Sequence, residues 1–397
     1  MFVPIANAPR DYAWGSTTAI AGLLGRTPSG SPEAELWLGA HPGSPARILS
    51  PETVGGYATL AEWVAGDAAS AGLTEPRLPF LLKLLAAEAP LSLQAHPSPE
   101  QAWEGFEREN AAGVPLDAAD RNYKDAFHKP ELIFALSETF DALCGFRPVA
   151  AAAADVDELL AAPGLSEDAR AALQAFRVTL DGPDADVLQS AVGSLLSDDV
   201  SVLVRAVTDA AESAPLTPAV DTVRLLAGHY PGDPGIVVSL LINRVTLRRG
   251  DVLYLPAGNI HAYLRGFGVE LMASSDNVLR GGLTPKHIDV PELLSVLDFT
   301  PLPVPYLQPE RPGAGVELYR PDVPDFELAH VVPAGEEPAL VRLTGPAIAV
   351  ATAGELTLAG ATGTFGLRQG EAVYVTPDEE RLSVTGVGEL FVATSRA

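Results

Sequence analysis

The sequence predicts a mainly β protein with a helical insertion, in which two jelly-roll barrels are joined in one chain and the first is interrupted by helices. Three observations predict it. Short apolar stretches punctuated by Gly and Pro fill residues 37–93 and return from Ile236 onward. Between them, from about 150 to 226, the chain turns rich in Ala, Leu and Asp, with repeated helix-start signals. Finally, Gly250-Asp251-Val252-Leu253-Tyr254-Leu255 recurs as Gly370-Glu371-Ala372-Val373-Tyr374-Val375, each followed by a turn with proline, Pro256 and Pro377. A glycine turn, an acid and then an alternating strand is a jelly-roll hairpin signature.

A chain of 397 residues exceeds what one core usually supports. We divide it at the composition shifts. Residues 1–150 form the first part of a catalytic barrel, with a helical segment near 99–120. Residues 151–225 are a helical insertion, 226–300 complete the barrel, and 301–397 form a second jelly roll. Within the first block a short helix is expected at 59–65. LPFLLKLL and LSLQAH read as two strands around a turn at Glu88-Ala89-Pro90, and 99–110 as a helix opened by proline. In the insertion, Ser166-Glu167-Asp168 and Asp198-Asp199 each precede an apolar-periodic run. Alternation resumes through VVSLLINRVTLRRGDVLYLPAGNIHAYL, with turns at Arg249-Gly250-Asp251 and Pro256-Ala257-Gly258. A Pro-rich linker follows Thr300, and short strands fill the remainder. The first copy of the repeat continues into GNIHAYL, the second into DEERLSV. Only the first barrel can therefore hold a histidine-ligated metal, leaving the C-terminal one as a metal-free packing partner.

Composition excludes several classes of function. With 47% hydrophobic and 19% charged residues the chain reads as globular. A formal charge of −25 argues against nucleic acid and anionic membranes, which need basic faces. No apolar run reaches membrane-spanning length, since 78–93 is broken by Lys83 and Glu88. The opening MFVPIANAPRDYAWGS lacks the basic start and apolar core of a signal peptide, so a cytoplasmic location is expected. The lone Cys144 rules out an internal disulfide and Cys-based zinc clusters. Against such a charge, a phosphorylated substrate requires a local positive pocket. The chain has four lysines, Lys83, Lys124, Lys129 and Lys286, and the first, third and fourth fall among the residues discussed next.

Context raises three of the seven histidines above the rest. Gln94 and His96, two apart at the end of an apolar strand, share one face. His261 follows a strand and a Pro-Ala-Gly turn, at the mouth of the first barrel, with Tyr263 on its own face. His128-Lys129-Pro130-Glu131 places a proton shuttle, a cation and a carboxylate in four residues. Two imidazoles, a carboxylate and an amide are groups that can close a four-ligand zinc site. Long-range spacing alone does not establish one. His41, His229 and His330 are assigned to structure, and Asp276-Asn277 to a turn that positions Arg280.

The strings SLQAHP, NYKDAFHKPEL and LPAGNIHAYLRGFGVELMASSDNVLRGGLTPKHIDV, with YAWGS and AELWLGAHPGSPA, resemble type I phosphomannose isomerases segment by segment. The resemblance is strong over 1–150 and 226–300, and elsewhere extends to placement and length. It implies cupin-type barrels, one Zn²⁺ per chain, a sugar-phosphate substrate and a monomer. The reaction it implies is aldose–ketose isomerisation between mannose 6-phosphate and fructose 6-phosphate. It implies Gln94, His96, Glu131 and His261 as metal ligands and Arg280 as an active-site residue. Trp14, Lys83, Ser92, Lys129, Tyr263, Glu270 and Lys286 match pocket positions.

Isomerisation through an enediol needs a base, an enediolate stabiliser and a phosphate anchor. A site with a single anionic ligand keeps the metal net positive and able to polarise an oxygen. Arg280 suits bidentate contact with phosphate or enediolate, with Lys83 and Lys286 as partners. Glu270 and the His128-Lys129 pair both stand as proton carriers. The competing readings are a glucose 6-phosphate isomerase, an iron oxygenase of the same fold, and a sugar-binding or storage barrel without turnover. His261-Ala262-Tyr263 lacks the His-x-His pair that oxygenases favour, and a storage protein needs no Arg-Lys-Glu group beside a metal set.

Overall fold

Proline and hydrophobic alternation decide where the strands begin and end. The computed structural model describes residues 1–334 and 337–396. Every residue of the Phe80–Ala87 strand is buried, Lys83 included, although that lysine interrupts its apolar run. It pairs antiparallel with Glu35–Leu38 on one side and His261–Ala273 on the other. The expected LSLQAH strand shrinks to Gln94–Ala95. Pro90 and Pro97 flank it, and proline cannot donate to a ladder.

The thirteen-residue His261–Ala273 strand organises the barrel. Its later residues pair with Phe80–Ala87 and Glu131–Ala135, its first ones with Gln94–Ala95 and Thr139–Phe146. A register shift between Tyr263 and Arg265 lets the strand bend from one set of partners to the other. Nine strands join in this way.

The insertion forms five helices: Val149–Leu160, Glu167–Thr179, Asp184–Ser197, Ser201–Ser213 and Pro218–His229. Ser166 and Thr217 cap two of them by accepting the N–H groups of Ala169 and Val220. Their apolar faces, Leu173 and Phe176 among them, join one cluster with Leu93, Ala95, Ile260 and Ala262. The helices thus cover the back of the strands whose other face presents Gln94, His96 and His261. Among the described residues no single helix is long and apolar enough to cross a membrane. Asp184–Ser197 and Ser201–Ser213 meet that test only as a pair, bent by 105°.

Among the described residues the C-terminal sheet has ten strands. Two of them, Ala347–Ala359 and Arg381–Thr394, run to 13 and 14 residues, longer than the expected short strands. Neither contains proline, and a bulge at Ala351/Ala353 bends the pair without ending it. The two copies of the repeat both follow a glycine in the left-handed region, Gly250 at φ 93° and Gly370 at φ 84°. They lie in different sheets: Val252–Leu255 pairs with Glu131–Ala135, and Ala372–Val375 with Ala347–Ala359. The first strand, Phe2–Ala6, leaves the first barrel and pairs with Ala372–Val375 and Arg47–Ile48.

Phe134 joins the two sheets. Its ring meets those of Phe391 at 4.8 Å and Tyr319 at 5.8 Å, edge to face. Nearby, Arg249 donates to both oxygens of Glu389 at 2.8 and 2.7 Å. Phe134→Ala is expected to destabilise the chain by about 3–5 kcal/mol. Urea unfolding followed by circular dichroism measures it, and a loss below about 1 kcal/mol would mean that the sheets do not pack through this ring.

Candidate active site and metal centre

Three buried side chains at or beside the ends of three strands converge at the mouth of the first barrel. The ligand-type atoms of His96, Glu131 and His261 all lie within 4.8 Å of one another. The Pro-Ala-Gly turn delivers His261. Gly258 there has φ 77°, and a Cβ would meet the Val296 carbonyl and the Asp298 N–H, both at 3.1 Å. Glu131 opens its strand opposite Met272, and His96 directly follows the Gln94–Ala95 bridge.

Hydrogen bonding fixes both imidazoles in one tautomer. His96 Nδ1 lies 2.8 Å from the Asn277 carbonyl, and His261 Nδ1 lies 3.0 Å from that of Asn259. A carbonyl only accepts, so each Nδ1 carries a proton, and Nε2 is the ring atom left to hold a metal. Both Nε2 atoms face Glu131, each 3.3 Å from one of its oxygens. His96 Nε2 is buried with no hydrogen-bond partner. With the rings neutral, lone pairs meet lone pairs, an arrangement that a divalent cation relieves. Burial pushes the His96 imidazole down to about 4, although Glu131 pulls it upward. Burial also opposes the Glu131 charge, yet the Lys129 ammonium, 3.2 Å away, helps to hold its pKa well below the carboxylate range. Gln94, whose backbone pairs with both His261 and Arg280, lies beside this cluster with its side chain on the cavity wall. The donor set fits a metal ion.

A cavity of about 590 Å³ adjoins the cluster: Gln94 and Lys129 line it, whereas His96, Glu131 and His261 are not part of its wall. Lys83, Lys129 and Lys286, three of the chain's four lysines, line it together with Arg280. Lys83 is the innermost. It donates to Glu270 at 2.9 Å and sits 3.5 Å from Glu35. Burial disfavours its charge, but Glu270, Glu35 and Glu131 outweigh that and raise its pKa above the usual lysine value. Arg280 and Lys286 differ: among the described residues neither has an ion-pair partner. Burial lowers the pKa of both, and the Arg280 charge lowers that of Lys286 further. Such a pair is incomplete without an anion.

Of the residues singled out from sequence, Trp14, Lys83, Ser92, Gln94, Lys129, Arg280 and Lys286 line the cavity. Glu270 lies behind Lys83 and is 2% exposed; burial raises its pKa. Tyr263 points into the barrel interior, edge to face with Phe140, and its hydroxyl has no partner. His128 is absent from the wall, and its Nε2 faces Asp325 at 2.7 Å.

Sequence reasoning passed over several wall residues. His41, assigned above to structure, lines the cavity. Its Nδ1 accepts the Gly43 N–H, so Nε2 carries the proton and lies 3.3 Å from Asp276. Glu35 accepts from the Trp37 indole at 2.8 Å, and both line the cavity. A signal for that pair existed, since an acid two residues from a tryptophan in the apolar string AELWLGA marks a polar spot on a buried face.

Comparison with known proteins places this geometry. Residues 2–149 match the profile described as phosphomannose isomerase type I, catalytic domain. The chain is 37% identical to the mannose-6-phosphate isomerase of Escherichia coli over 97% of both chains. It is 33% identical to that of Rattus norvegicus over 95% of this chain and 93% of the relative. A crystal structure of mannose 6-phosphate isomerase bound with zinc and yttrium superposes with a TM-score of 0.85 at 34% identity, covering 100% of both chains. The apo form from Salmonella typhimurium gives 0.86 at 34% identity, over 100% of this chain and 99% of that one.

The buried histidine predicts a pH dependence for the chelator-treated chain. His96 stays neutral down to about 4, whereas an unfolded histidine takes up a proton near about 6.5. Between those values the unfolded state binds more protons, so stability is full above about pH 6.5 and falls toward about pH 4. The loss is on the order of 3 kcal/mol. His96→Asn should flatten this window in urea melts at pH 7 and pH 5. Equal slopes for the two proteins would show that His96 is not held neutral by burial.

Proposed function

This chain belongs to the type I phosphomannose isomerases, and from that premise we propose that it interconverts D-mannose 6-phosphate and D-fructose 6-phosphate through an enediol, with one zinc ion held by Gln94, His96, Glu131 and His261. The observation that carries the reading is the pairing of two incomplete sites. A cluster of converging lone pairs lies beside a cavity whose Arg280 and Lys286 have no counter-charge among the described residues. When bound, the ion supplies a positive charge that polarises the sugar oxygens at C1 and C2.

Arg280 and Lys286 take the anionic end of the substrate, Arg280 through its planar fork. Trp14, stacked on Tyr12 at 5.7 Å, offers an apolar wall to the sugar. Lys83 stays protonated between its carboxylates and acts as a hydrogen-bond donor to the oxygen on which enediolate charge grows. Glu270 holds Lys83 in place. In the isomerisation the proton lost from C2 of the open-chain aldose returns at C1, while one proton passes from O2 to O1. Of the three carriers considered from sequence, Lys129 alone lines the cavity, and we assign the transfer to its amine, which in the neutral form would take the C2 proton and return it at C1.

A coupled assay of fructose 6-phosphate formation tests the reading. Activity should disappear with a chelator and return with zinc. Conversion run in D₂O should place solvent deuterium on the product carbon; complete retention of the substrate hydrogen would indicate a hydride shift and remove the enediol. No turnover in protein of measured metal content would leave a sugar-binding barrel.

Substitution ranks the roles. Arg280→Ala is expected to lower kcat by about 10²–10³. Lys129→Met should lower it by about 10²–10⁴, with His128→Asn far milder. The reverse order for Lys129 and His128 in steady-state kinetics would reassign the proton carrier.

A further inference from the structure

Asn277 is 0% exposed, lies in no helix or strand, and uses all of its polar groups. Its Oδ1 accepts the N–H of Lys124 at 2.7 Å and of Asp125 at 3.3 Å. Its Nδ2 donates to the carbonyls of Asp125 and Phe127, both at 2.8 Å, and approaches the Asp125 carboxylate at 3.3 Å. Its own N–H donates to Ser275 Oγ at 3.2 Å, and its carbonyl accepts His96 Nδ1–H at 2.8 Å. One residue thus ties the end of the Gln94–Ala95 strand to the 124–127 segment, which leads within a few residues to Lys129 and Glu131. Three residues beyond Asn277 lies Arg280, whose backbone pairs with Gln94.

We propose that Asn277 is a positioning residue of the metal centre, fixing His96 in the tautomer that leaves Nε2 unprotonated and fixing the segment that delivers Glu131. The inference rests on the reading that His96, Glu131 and His261 hold a metal. It requires an amide, since both halves of the carboxamide are used at once. An aspartate would keep the acceptor but turn a second oxygen toward two carbonyls and a carboxylate, with no donor to separate them. A shorter side chain would leave buried backbone groups without partners. Geometry at the ligands would loosen in either case, although none of the ligands has changed.

Asn277→Asp tests this in the full chain. Zinc affinity is measured by competition with a chromophoric chelator, coordination by the visible spectrum of the cobalt-substituted protein, and folding by thermal melting of the chelated form. Expected are zinc binding about 10–100-fold weaker, an altered cobalt spectrum, and at saturating zinc a kcat that falls more than KM changes. Should the aspartate variant fail to fold, Asn277→Ser, which keeps the backbone carbonyl, is read by the same measurements with the same expectation. A folded variant with wild-type zinc affinity and cobalt spectrum would overturn the positioning role. Wild-type protein that binds no zinc in the same titration would instead overturn the metal reading beneath it.

Discussion

The constraint on which the site depends is the burial of one carboxylate against two imidazoles that, when neutral, cannot donate to it. Glu131 is 4% exposed and faces Nε2 of both His96 and His261. Each ring is turned so because a backbone carbonyl already holds its other proton. A buried charge without compensation costs several kcal/mol. Lys129, two residues before Glu131 in the segment that leads into its strand, supplies part of the compensation. Building the cluster requires three separate strands to end at one place, and the His261–Ala273 strand arranges this by bending between two sets of partners. Barrel curvature and ligand geometry are therefore one requirement.

A second tension is electrostatic. The chain carries a formal charge of −25, yet the cavity wall combines three lysines and an arginine. At physiological ionic strength, exposed charges farther than about 8 Å are largely screened. The local field of Arg280 and Lys286 then governs an anion that has reached the mouth, while the surface charge affects its approach. Lys83 differs from these two. Enclosed by carboxylates, it has no spare charge for a phosphate and serves as a fixed donor deep in the site. The same residue type thus performs two tasks, separated by the number of carboxylates around it.

How much of this could be read from the sequence follows from the range of the interactions involved. Gln94 and His96 were legible because strand periodicity places them on one face, and two helix starts because Ser166 and Asp199 accept backbone N–H groups within three residues. The repeat at Gly250 and Gly370 revealed two related sheets, but could not reveal that Phe2–Ala6 belongs to the second, since that pairing spans more than 360 residues. His128 looked as promising as Lys129 by adjacency. Neighbours in an extended segment face opposite ways, and here one faces Asp325 and the other the cavity. Glu35 and His41 lacked their meaning until Lys83 and Asp276 were brought to them by folding. Asn277 read as a turn because everything it bonds, apart from Ser275, is more than 140 residues away.

The helical insertion enters the site by the same long-range route. It could pass for a cover over the barrel, yet its C-terminal edge reaches the cavity in two ways. Tyr230 lines the wall, and its hydroxyl donates to the Pro90 carbonyl at 2.6 Å, securing the segment that leads to Ser92 and Gln94. Asp233 accepts the N–H groups of Gly235 at 2.7 Å, Leu283 at 2.9 Å and Thr284 at 3.3 Å. Leu283 has φ 56°, a conformation that costs a residue with a side chain roughly 1–2 kcal/mol. The Asp233 bonds offset that cost, and the loop they hold runs directly from Arg280 to Lys286. A carboxylate at the edge of the helices therefore sets the path of the segment whose two cations await an anion, and it does so through backbone N–H groups that leave both cations unneutralised.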